Sequence, residues 1–398
     1  MSRRTFVAAG SAAFAGRAWG AAKTRITSVK AVPLHVRPDA SVKKSAPLSD
    51  FDPQRWRSFG PFSQLTGAIL VRIETDAGIT GYGMGGGGGA ACYIIEHHLR
   101  ELLIGVNASN VELIQDQLFA STSFYGRRGV VIQALSGIDL ALWDLAGKQA
   151  GMPVHRLLGG PTRERVQGYY TGNDVERGLK LGFHAVKISG FTTAREGRDG
   201  MRANVDRIRE ARRRVGPDTM LMLDALCAWD VPYTLELADR VADQHLHFIE
   251  EPLLPDDIAG YSRLCRQVHG TKIASGEHEA TLYGFQELLR NHAAHILQPD
   301  VTWSGGLTEC RRVSAAAEAA GVPLLPHRGS SVYGITLILT SRSPMLAESF
   351  GTGASGNEVM ELLTPKLDAG YYLPPQGPGF GVEFSKSFLQ KYAPGMLT

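Results

Sequence analysis

From about residue 166 onwards, short apolar runs alternate with segments long enough to form helices. In order, the runs read VQGYY, HAVKIS, MLMLDA, HFIEEP, KIASGE, HILQPD, VPLLPH and MLAESF. Parallel strands need a crossover connection, and the strands of a closed barrel are buried on both faces, so this pattern predicts a parallel (β/α) barrel. A doubly wound open sheet is the alternative fold for the same alternation.

The region before these runs has a different organisation. Residues 24–36 and 65–83 alternate like strands, whereas residues 91–104 and 129–149 have helical spacing, which together indicate an α+β module. The segment 83–88 (GMGGGG) also fits the glycine pattern of dinucleotide-binding loops. Since consecutive glycines satisfy almost any glycine pattern, a turn with permissive backbone angles is the favoured interpretation.

Composition and charge remove several classes of function. The formal net charge is +3, and acids and bases are interleaved except in the run 207–214, which is typical of a solvated helix face. No nucleic-acid partner is therefore expected, and no membrane partner either, because the mature chain has no apolar stretch long enough to cross a bilayer. The spacing of the four cysteines indicates neither a zinc site nor a disulfide framework.

The first residues differ from the rest of the chain. Arg3 and Arg4 precede a weakly apolar run of small residues, and further small residues follow at 20–22. This pattern predicts a twin-arginine export signal over residues 1–22 and a periplasmic or secreted protein. The alternative is a basic N-terminus without a targeting role, which would leave the protein in the cytoplasm.

Polar residues close the last six strand-like runs. They recur at intervals of 21 to 27 residues, each the length of one βα unit, and are Asp224, Glu250, Glu277, Asp300, His327 and Glu348. A barrel gathers the carboxyl ends of its strands around one mouth. We therefore expect these side chains to share a single pocket.

The residue types suggest the chemistry of that pocket. Asp224, Glu250 and Glu277 would repel one another at one mouth unless a cation lay between them, and oxygen ligands favour magnesium before zinc. Asp300 can orient His327 as a general base, and Lys187 in AVKIS can offset negative charge. A divalent metal with a His–Asp base is suited to removing a proton alpha to a carboxylate.

The sequence resembles the mandelate racemase subgroup of the enolase superfamily, and within it the L-rhamnonate dehydratases and related acid-sugar dehydratases. The motifs that carry the resemblance are YGRRG (125–129), SGIDLALWDLAGK (136–148), LLGG (157–160), LMLDA (221–225), IEEP (249–252), SGEHEA (275–280), QPDV (298–301), GG (305–306), PHRGSSVY (326–333) and AES (347–349). They span the mature chain in the order that the family has.

The resemblance implies an α+β capping domain over a modified (β/α)8 barrel of the (β/α)7β type. The expected boundaries are 23–155 for the cap, 156–365 for the barrel and 366–398 for a C-terminal segment that returns to the cap. One Mg²⁺ per subunit would be held by the three carboxylates, and a homo-oligomer is expected.

The resemblance also implies roles for individual residues. His327, oriented by Asp300, would be the base, and Glu348 would hydrogen-bond the enolic intermediate. His278 and Arg57 would contact a small-molecule sugar acid.

Family members convert a sugar acid to its 2-keto-3-deoxy derivative. Lys187 is followed here by Ile188 and Ser189, so the second lysine that serves as another base in many relatives is missing. This favours dehydration, and the alternatives are a racemase or epimerase of a 2-hydroxy acid and a non-catalytic exported sugar-acid binding protein. Residues 37–52 and Arg328 depart from the L-rhamnonate dehydratase pattern, so the sequence does not name the sugar.

Overall fold

The computed structural model describes residues 24–34, 67–343, 345–351 and 358–398. The predicted export signal, the segment 37–52 and Arg57 lie outside these residues. All statements below concern the described part of the chain.

The N-terminal module pairs a small antiparallel sheet with helices. The strands are β1 (Ile26–Pro33), β2 (Ile69–Thr75) and β3 (Thr80–Gly85), in spatial order β1-β2-β3. The helices are α1 (Gly88–Ile94), a π-helical turn (Ile95–Leu99), α2 (Arg100–Leu103), α3 (Val111–Thr122), α4 (Val130–Ala150) and α5 (Val154–Leu157). α4 is the core helix, since nearly all of its apolar side chains are buried.

The glycine pattern has a packing role in this module. Gly81, Gly83 and Gly85 alternate along β3 and face α4, and a Cβ atom on any of them would lie 2.2 to 2.4 Å from a carbonyl oxygen of that helix. Glycine is needed because strand and helix backbones approach so closely. The strand belongs to an antiparallel sheet and not to a βαβ unit, so the dinucleotide alternative has no support here.

The predicted barrel is confirmed. Its elements in chain order are β4 (Val166–Thr171), α6 (Val175–Lys180), β5 (Ala185–Ile188), α7 (Gly197–Val215), β6 (Met220–Asp224), α8 (Val231–Arg240), β7 (Phe248–Glu250), α9 (Ile258–Gln267), β8 (Lys272–Ser275), α10 (Thr281–Arg290), β9 (Ile296–Leu297), α11 (Gly306–Ala319), α12 (Val332–Leu339) and β10 (Ala347–Ser349). Strands β4 to β9 are hydrogen-bonded in sequence and parallel.

The barrel closes through its last two strand positions. Residues 324–327 occupy the seventh position through parallel bridges from Leu324 to Leu297 and from His327 to Asp300. β10 then pairs with β4 in parallel. Each of the first seven strand positions is followed by a helix, α6 to α12, and β10 is the eighth strand, so the architecture is (β/α)7β.

The C-terminal segment returns across the barrel to the cap. It contains α13 (Glu358–Leu362), β11 (Leu367–Asp368), β12 (Tyr371–Tyr372) and α14 (Lys386–Tyr392), followed by a 3-10 turn (Pro394–Leu397). β12 pairs antiparallel with the start of β4. The ring of Phe384 then packs 5.1 Å from that of Tyr82 on β3.

A buried polar seam joins cap to barrel at the start of α11. The backbone N–H of Thr308 donates to Asp139 of α4 at 3.1 Å, and the Thr308 hydroxyl donates to the same carboxylate. Gly306 has a φ of +84° and a Cβ there would lie 2.3 Å from Asp139 Oδ2, so this approach requires glycine. The seam fixes how the cap sits above the barrel mouth.

Candidate active site

Three acidic residues end neighbouring barrel strands. Asp224 and Glu250 are the last residues of β6 and β7 and stand directly opposite each other in the parallel register. Glu277 follows the end of β8 by two residues. All three are buried, with 7%, 0% and 8% of their surface exposed.

Glycine sets the position of the third carboxylate. Gly276, between the last residue of β8 and Glu277, has a φ of +126°. A Cβ there would lie 2.8 Å from the ring of Phe285 and 3.2 Å from the backbone nitrogen of Gln298. The chain can therefore turn Glu277 into the mouth only with glycine at 276.

Lys187 is the cation of this side of the mouth. Its Nζ lies 2.7 Å from both carboxylate oxygens of Glu250, 2.6 Å from Glu348 Oε1 and 3.8 Å from Asp224 Oδ2. Burial alone would lower the pKa of this ammonium, but the carboxylates outweigh burial and raise the pKa well above its usual value. Lys187 is consequently a fixed positive charge.

Lys187 does not by itself offset the negative charge of the buried carboxylates around it. Burial raises the pKa of Asp224 to about 7, and it raises the pKa of Glu250 well above its usual value despite Lys187. Glu277 differs, because the imidazoles of His327 and His278 outweigh burial and lower its pKa. A donor set of buried carboxylate oxygens that is short of positive charge fits Mg²⁺, with Glu250 shared between the metal and Lys187.

The predicted base lies on the opposite side of the mouth. His327 Nδ1 is 2.8 Å from Asp300 Oδ2, while its Nε2 is 3.7 Å from Glu277 Oε2 and 3.8 Å from Glu348 Oε2. The network assigns the proton of the neutral ring to Nδ1, which leaves Nε2 as the proton acceptor. Burial lowers the pKa of His327, but the surrounding carboxylates outweigh it and the net shift is upward.

Asp300 is held in one orientation. Its Oδ1 accepts from the backbone N–H and the hydroxyl of Thr302, both at 2.6 Å. Burial raises its pKa, but the hydrogen bond and charge of His327, with smaller contributions from Arg328 and Thr302, lower it overall. Asp300 therefore stays ionised and can support a positive charge on His327.

Glu348 links the two sides of the mouth. Its Oε1 contacts Lys187 and accepts from the hydroxyl of Thr171 at 2.7 Å, while its Oε2 accepts from the backbone N–H of Arg328 at 2.9 Å. Burial would raise its pKa, but Lys187 and His327 outweigh this and hold the pKa at about 2. Glu348 is therefore an anion that can only accept hydrogen bonds.

An aromatic wall borders the base. The ring of Trp303 lies 5.2 Å from that of His327 and 6.0 Å from that of His278. The guanidinium of Arg328 packs over Trp303 at 4.4 Å from the ring centre, a cation–π contact. Arg328 has a φ of +51°, unusual for a side chain of this size, which places it beside the base instead of in a strand.

His278 also faces the mouth, on the side of Glu277. Its Nδ1 lies 2.7 Å from Glu251 Oε2 and 3.6 Å from Glu277 Oε1. Burial would lower the pKa of this imidazole, but Glu251 and Glu277 outweigh it and raise the pKa to about 9. About 31% of the side chain is exposed, so it can reach a bound molecule.

The structure brings most of the predicted site residues together. They share one mouth through the contacts above and are Lys187, Asp224, Glu250, Glu277, His278, Asp300, His327 and Glu348. Arg57 lies outside the described residues, and its role stays a prediction.

Several neighbours of the site were not anticipated. Gln298 donates from Nε2 to Glu250 Oε2 at 2.6 Å, and Thr171 holds Glu348. Gln298 precedes Asp300 by two residues, so strand alternation could have placed both on one face. Nothing in the sequence pattern identifies Trp303 as the wall beside the base.

Comparisons with known proteins identify the family. Residues 172–388 match the family described as enolase C-terminal domain-like, and residues 57–159 match the mandelate racemase / muconate lactonizing enzyme N-terminal domain. An L-rhamnonate dehydratase of Saccharopolyspora erythraea is 40% identical over 326 residues, which cover 80% of this chain and 83% of that protein.

Solved structures are similar over nearly the whole chain. A rhamnonate dehydratase from Gibberella zeae complexed with Mg has a TM-score of 0.82 at 31% identity, covering 93% of this chain and 96% of its own. A racemase from Streptomyces coelicolor with bound magnesium has a TM-score of 0.75 at 28% identity, covering 90% and 97%. The chain therefore belongs to the enolase superfamily of enzymes, in its mandelate racemase and muconate lactonizing enzyme group.

Proposed function

We propose that this protein is a magnesium-dependent hydro-lyase that dehydrates a sugar acid, with His327 as its single base. The observation that carries the proposal is the contrast between His327 and Lys187. His327 has an acceptor nitrogen directed at the mouth, whereas Lys187 is fully engaged with Glu250 and Glu348 and keeps its proton. The similarity to L-rhamnonate dehydratases supports an aldonate as the substrate.

The reaction begins with binding of the substrate carboxylate beside Lys187 and the three metal-binding carboxylates. Asp224, Glu250 and Glu277 would hold Mg²⁺, which when bound would supply positive charge to stabilise the enediolate form of that carboxylate. His327 Nε2 takes the proton from C2, and Asp300 stabilises the resulting imidazolium. Lys187 adds a fixed positive charge where the enediolate develops.

Elimination follows from the same imidazole. The electron pair of the enediolate forms the C2–C3 double bond as the C3–O bond breaks, and the departing hydroxyl takes the proton from His327 and leaves as water. The enol then tautomerises to the 2-keto-3-deoxy acid. Arg328 and Trp303 lie beside His327, where they can contact the sugar hydroxyls.

A racemase or epimerase is the second candidate, supported by the likeness to the Streptomyces coelicolor structure. Inversion at C2 needs a proton donor on the face opposite the base. Lys187 contacts three carboxylate oxygens, which hold its proton and keep it from alternating between acid and base. The second lysine that could serve as another base is replaced here by Ser189. A binding protein without turnover would have no use for the Asp300–His327 pair.

The test is a screen of the purified protein with Mg²⁺ against aldonic and aldaric acids, including L-rhamnonate. We expect a 2-keto product, detected as its semicarbazone, from at least one aldonate, and none from the His327→Asn variant. A C2-inverted acid without any keto product would instead establish the racemase. Tight binding without C2 exchange in deuterium oxide would establish the binding protein.

A further inference from the structure

A second cluster of metal-ligating side chains lies beside the carboxylate trio. Cys227, Glu251 and His278 each offer one donor atom, and the three atoms lie within 4.8 Å of one another. The Cys227 Sγ is 3.5 Å from Glu251 Oε2, and His278 Nδ1 is 2.7 Å from the same oxygen. None of these donors is one of the three carboxylates assigned to Mg²⁺.

We propose that Cys227, Glu251 and His278 form a site for a thiophilic divalent cation, of which Zn²⁺ is the example. Ligands of one sulfur, one nitrogen and one carboxylate oxygen are typical of tetrahedral zinc. Magnesium prefers oxygen ligands alone and would not compete well for this trio. The mouth would thus carry a hard and a soft metal site side by side.

The spacing of the donors is close to what zinc requires. Zn–S bonds of about 2.3 Å and Zn–N and Zn–O bonds of about 2.0–2.1 Å place tetrahedral ligand atoms roughly 3.3–3.6 Å apart. The sulfur–oxygen separation of 3.5 Å already matches this range. The nitrogen–oxygen pair, at 2.7 Å, must open by roughly 0.6 Å, which a rotation of the partly exposed imidazole can supply.

Glu251 gives an independent reason to expect a ligand. It is 2% exposed, and its Oε1 is buried without a hydrogen-bond partner in the described structure. An unsatisfied buried carboxylate oxygen is costly, and a cation bound by both oxygens of Glu251 would remove that cost. The backbone also holds the cluster in place, because the N–H of Cys227 donates to the carbonyl of Glu251 at 2.7 Å.

Binding changes the protonation of the cluster in a defined way. Two protons leave to solvent, one from the Cys227 thiol and one from His278 Nδ1, and Nδ1 then ligates the metal in place of its hydrogen bond to Glu251. His278 would then keep a proton on Nε2 and present it to the mouth as a fixed donor. The spacing of the cysteines along the sequence gives no sign of this site, since its ligands come from three successive βα units.

Cobalt provides the test, because a thiolate ligand to Co²⁺ gives a charge-transfer absorption that oxygen ligands do not give. We expect this band on titrating Co²⁺ into the full-length protein with Mg²⁺ in excess, saturating at one equivalent. Cys227→Ser should abolish the band and weaken Zn²⁺ binding, measured against a chromophoric chelator, by at least about 100-fold. Cys265→Ser, in α9 outside the cluster, is the matched control and should change neither.

Several results would contradict the proposed metal site. A band that persists in Cys227→Ser, or disappears in Cys265→Ser, would overturn the proposal, as would binding of one Co²⁺ without any thiolate band. If Cys227→Ser does not fold, Cys227→Ala tests the same ligand without burying a hydroxyl. Since no sugar acid takes part in these measurements, their result is independent of the proposed dehydration.

Discussion

The two sides of the barrel mouth differ in how many partners surround the basic side chain. On one side Lys187 is surrounded by Glu250, Glu348 and Asp224 and has no freedom to exchange its proton. On the other side His327 is hydrogen-bonded to Asp300 at 2.8 Å. Its second nitrogen, Nε2, lies 3.7 Å from Glu277 and 3.8 Å from Glu348, which is beyond hydrogen-bond distance. A titratable side chain beside a substrate can therefore act as a base only when its partners leave one proton-accepting atom uncommitted.

Replacing the base should give the largest effect. His327→Asn keeps a side chain that can hydrogen-bond Asp300 but cannot take a proton, so dehydration and C2 exchange should both fall by about 10²–10⁴-fold or more. Exchange is measured by proton loss at C2 in deuterium oxide. Magnesium affinity and the unfolding midpoint serve as controls and should stay close to those of the wild type. Near-normal exchange in this variant would place the base elsewhere.

Removing the fixed cation should act on stability as well as on rate. Lys187→Met leaves the buried carboxylates of Glu250 and Glu348 without their partner, which should lower the free energy of unfolding by about 3–5 kcal/mol without added metal. Mg²⁺ should restore part of this loss because it supplies positive charge to the same cluster. Chemical denaturation with and without Mg²⁺ measures both quantities.

The rate effect of the same variant distinguishes it from loss of the base. Turnover should be slow, yet the residual C2 exchange should remain confined to the face of His327. If Lys187→Met lost exchange while His327→Asn kept it, the two sides of the mouth would have the opposite roles, and racemase chemistry would return as an option.

A smaller effect is expected when one metal ligand loses its charge. Glu250→Gln keeps the size of the side chain but removes an anionic ligand, so Mg²⁺ affinity by calorimetry should fall by at least about tenfold. Glu251→Gln is the matched control from the adjacent position, and it should leave Mg²⁺ affinity essentially unchanged. Equal losses in both variants would mean that the metal is not held by the trio ending β6, β7 and β8.

The sequence predicted the residues whose positions depend on the repeat. Asp224 and Glu250 each close a strand, and Asp300 lies three residues after β9 in a bridge to His327. A barrel brings such positions together whatever the details of packing. The same reasoning could not predict the positions of Trp303 and Arg328. Trp303 lies in a turn after Asp300, and Arg328 reaches the ring of Trp303 through a left-handed backbone angle, neither of which has a periodic signal.

The fold shows the same division. Alternation of apolar runs predicted the eight strand positions, although the seventh consists of isolated bridges at residues 324–327. The glycine pattern in 83–88 was ambiguous because Gly83 and Gly85 are required by a contact with α4, about 50 residues further along the chain. Local pattern cannot report which backbone a strand will touch.

The last prediction concerns Asp139, a buried carboxylate whose described partners include neither a lysine nor a histidine. Burial raises the pKa of Asp139, in the cap–barrel seam, from 3.8 to about 7, and the hydrogen bonds from Thr308 offset this only in part. Between about pH 4 and 7 the folded protein therefore holds a proton that the unfolded chain releases, so this group makes stability fall as pH rises.

Asp139→Asn should remove that contribution, and the unfolding free energy of the variant relative to the wild type should rise across this window. Denaturant titrations at several pH values measure the difference, with Glu101→Gln on the exposed face of α2 as the control. A difference in unfolding free energy between Asp139→Asn and the wild type that stays constant from pH 4 to 7 would show that Asp139 is ionised throughout. Hydrogen bonds from Thr308 would then be sufficient to keep a buried carboxylate ionised, without a lysine such as the one beside Glu348.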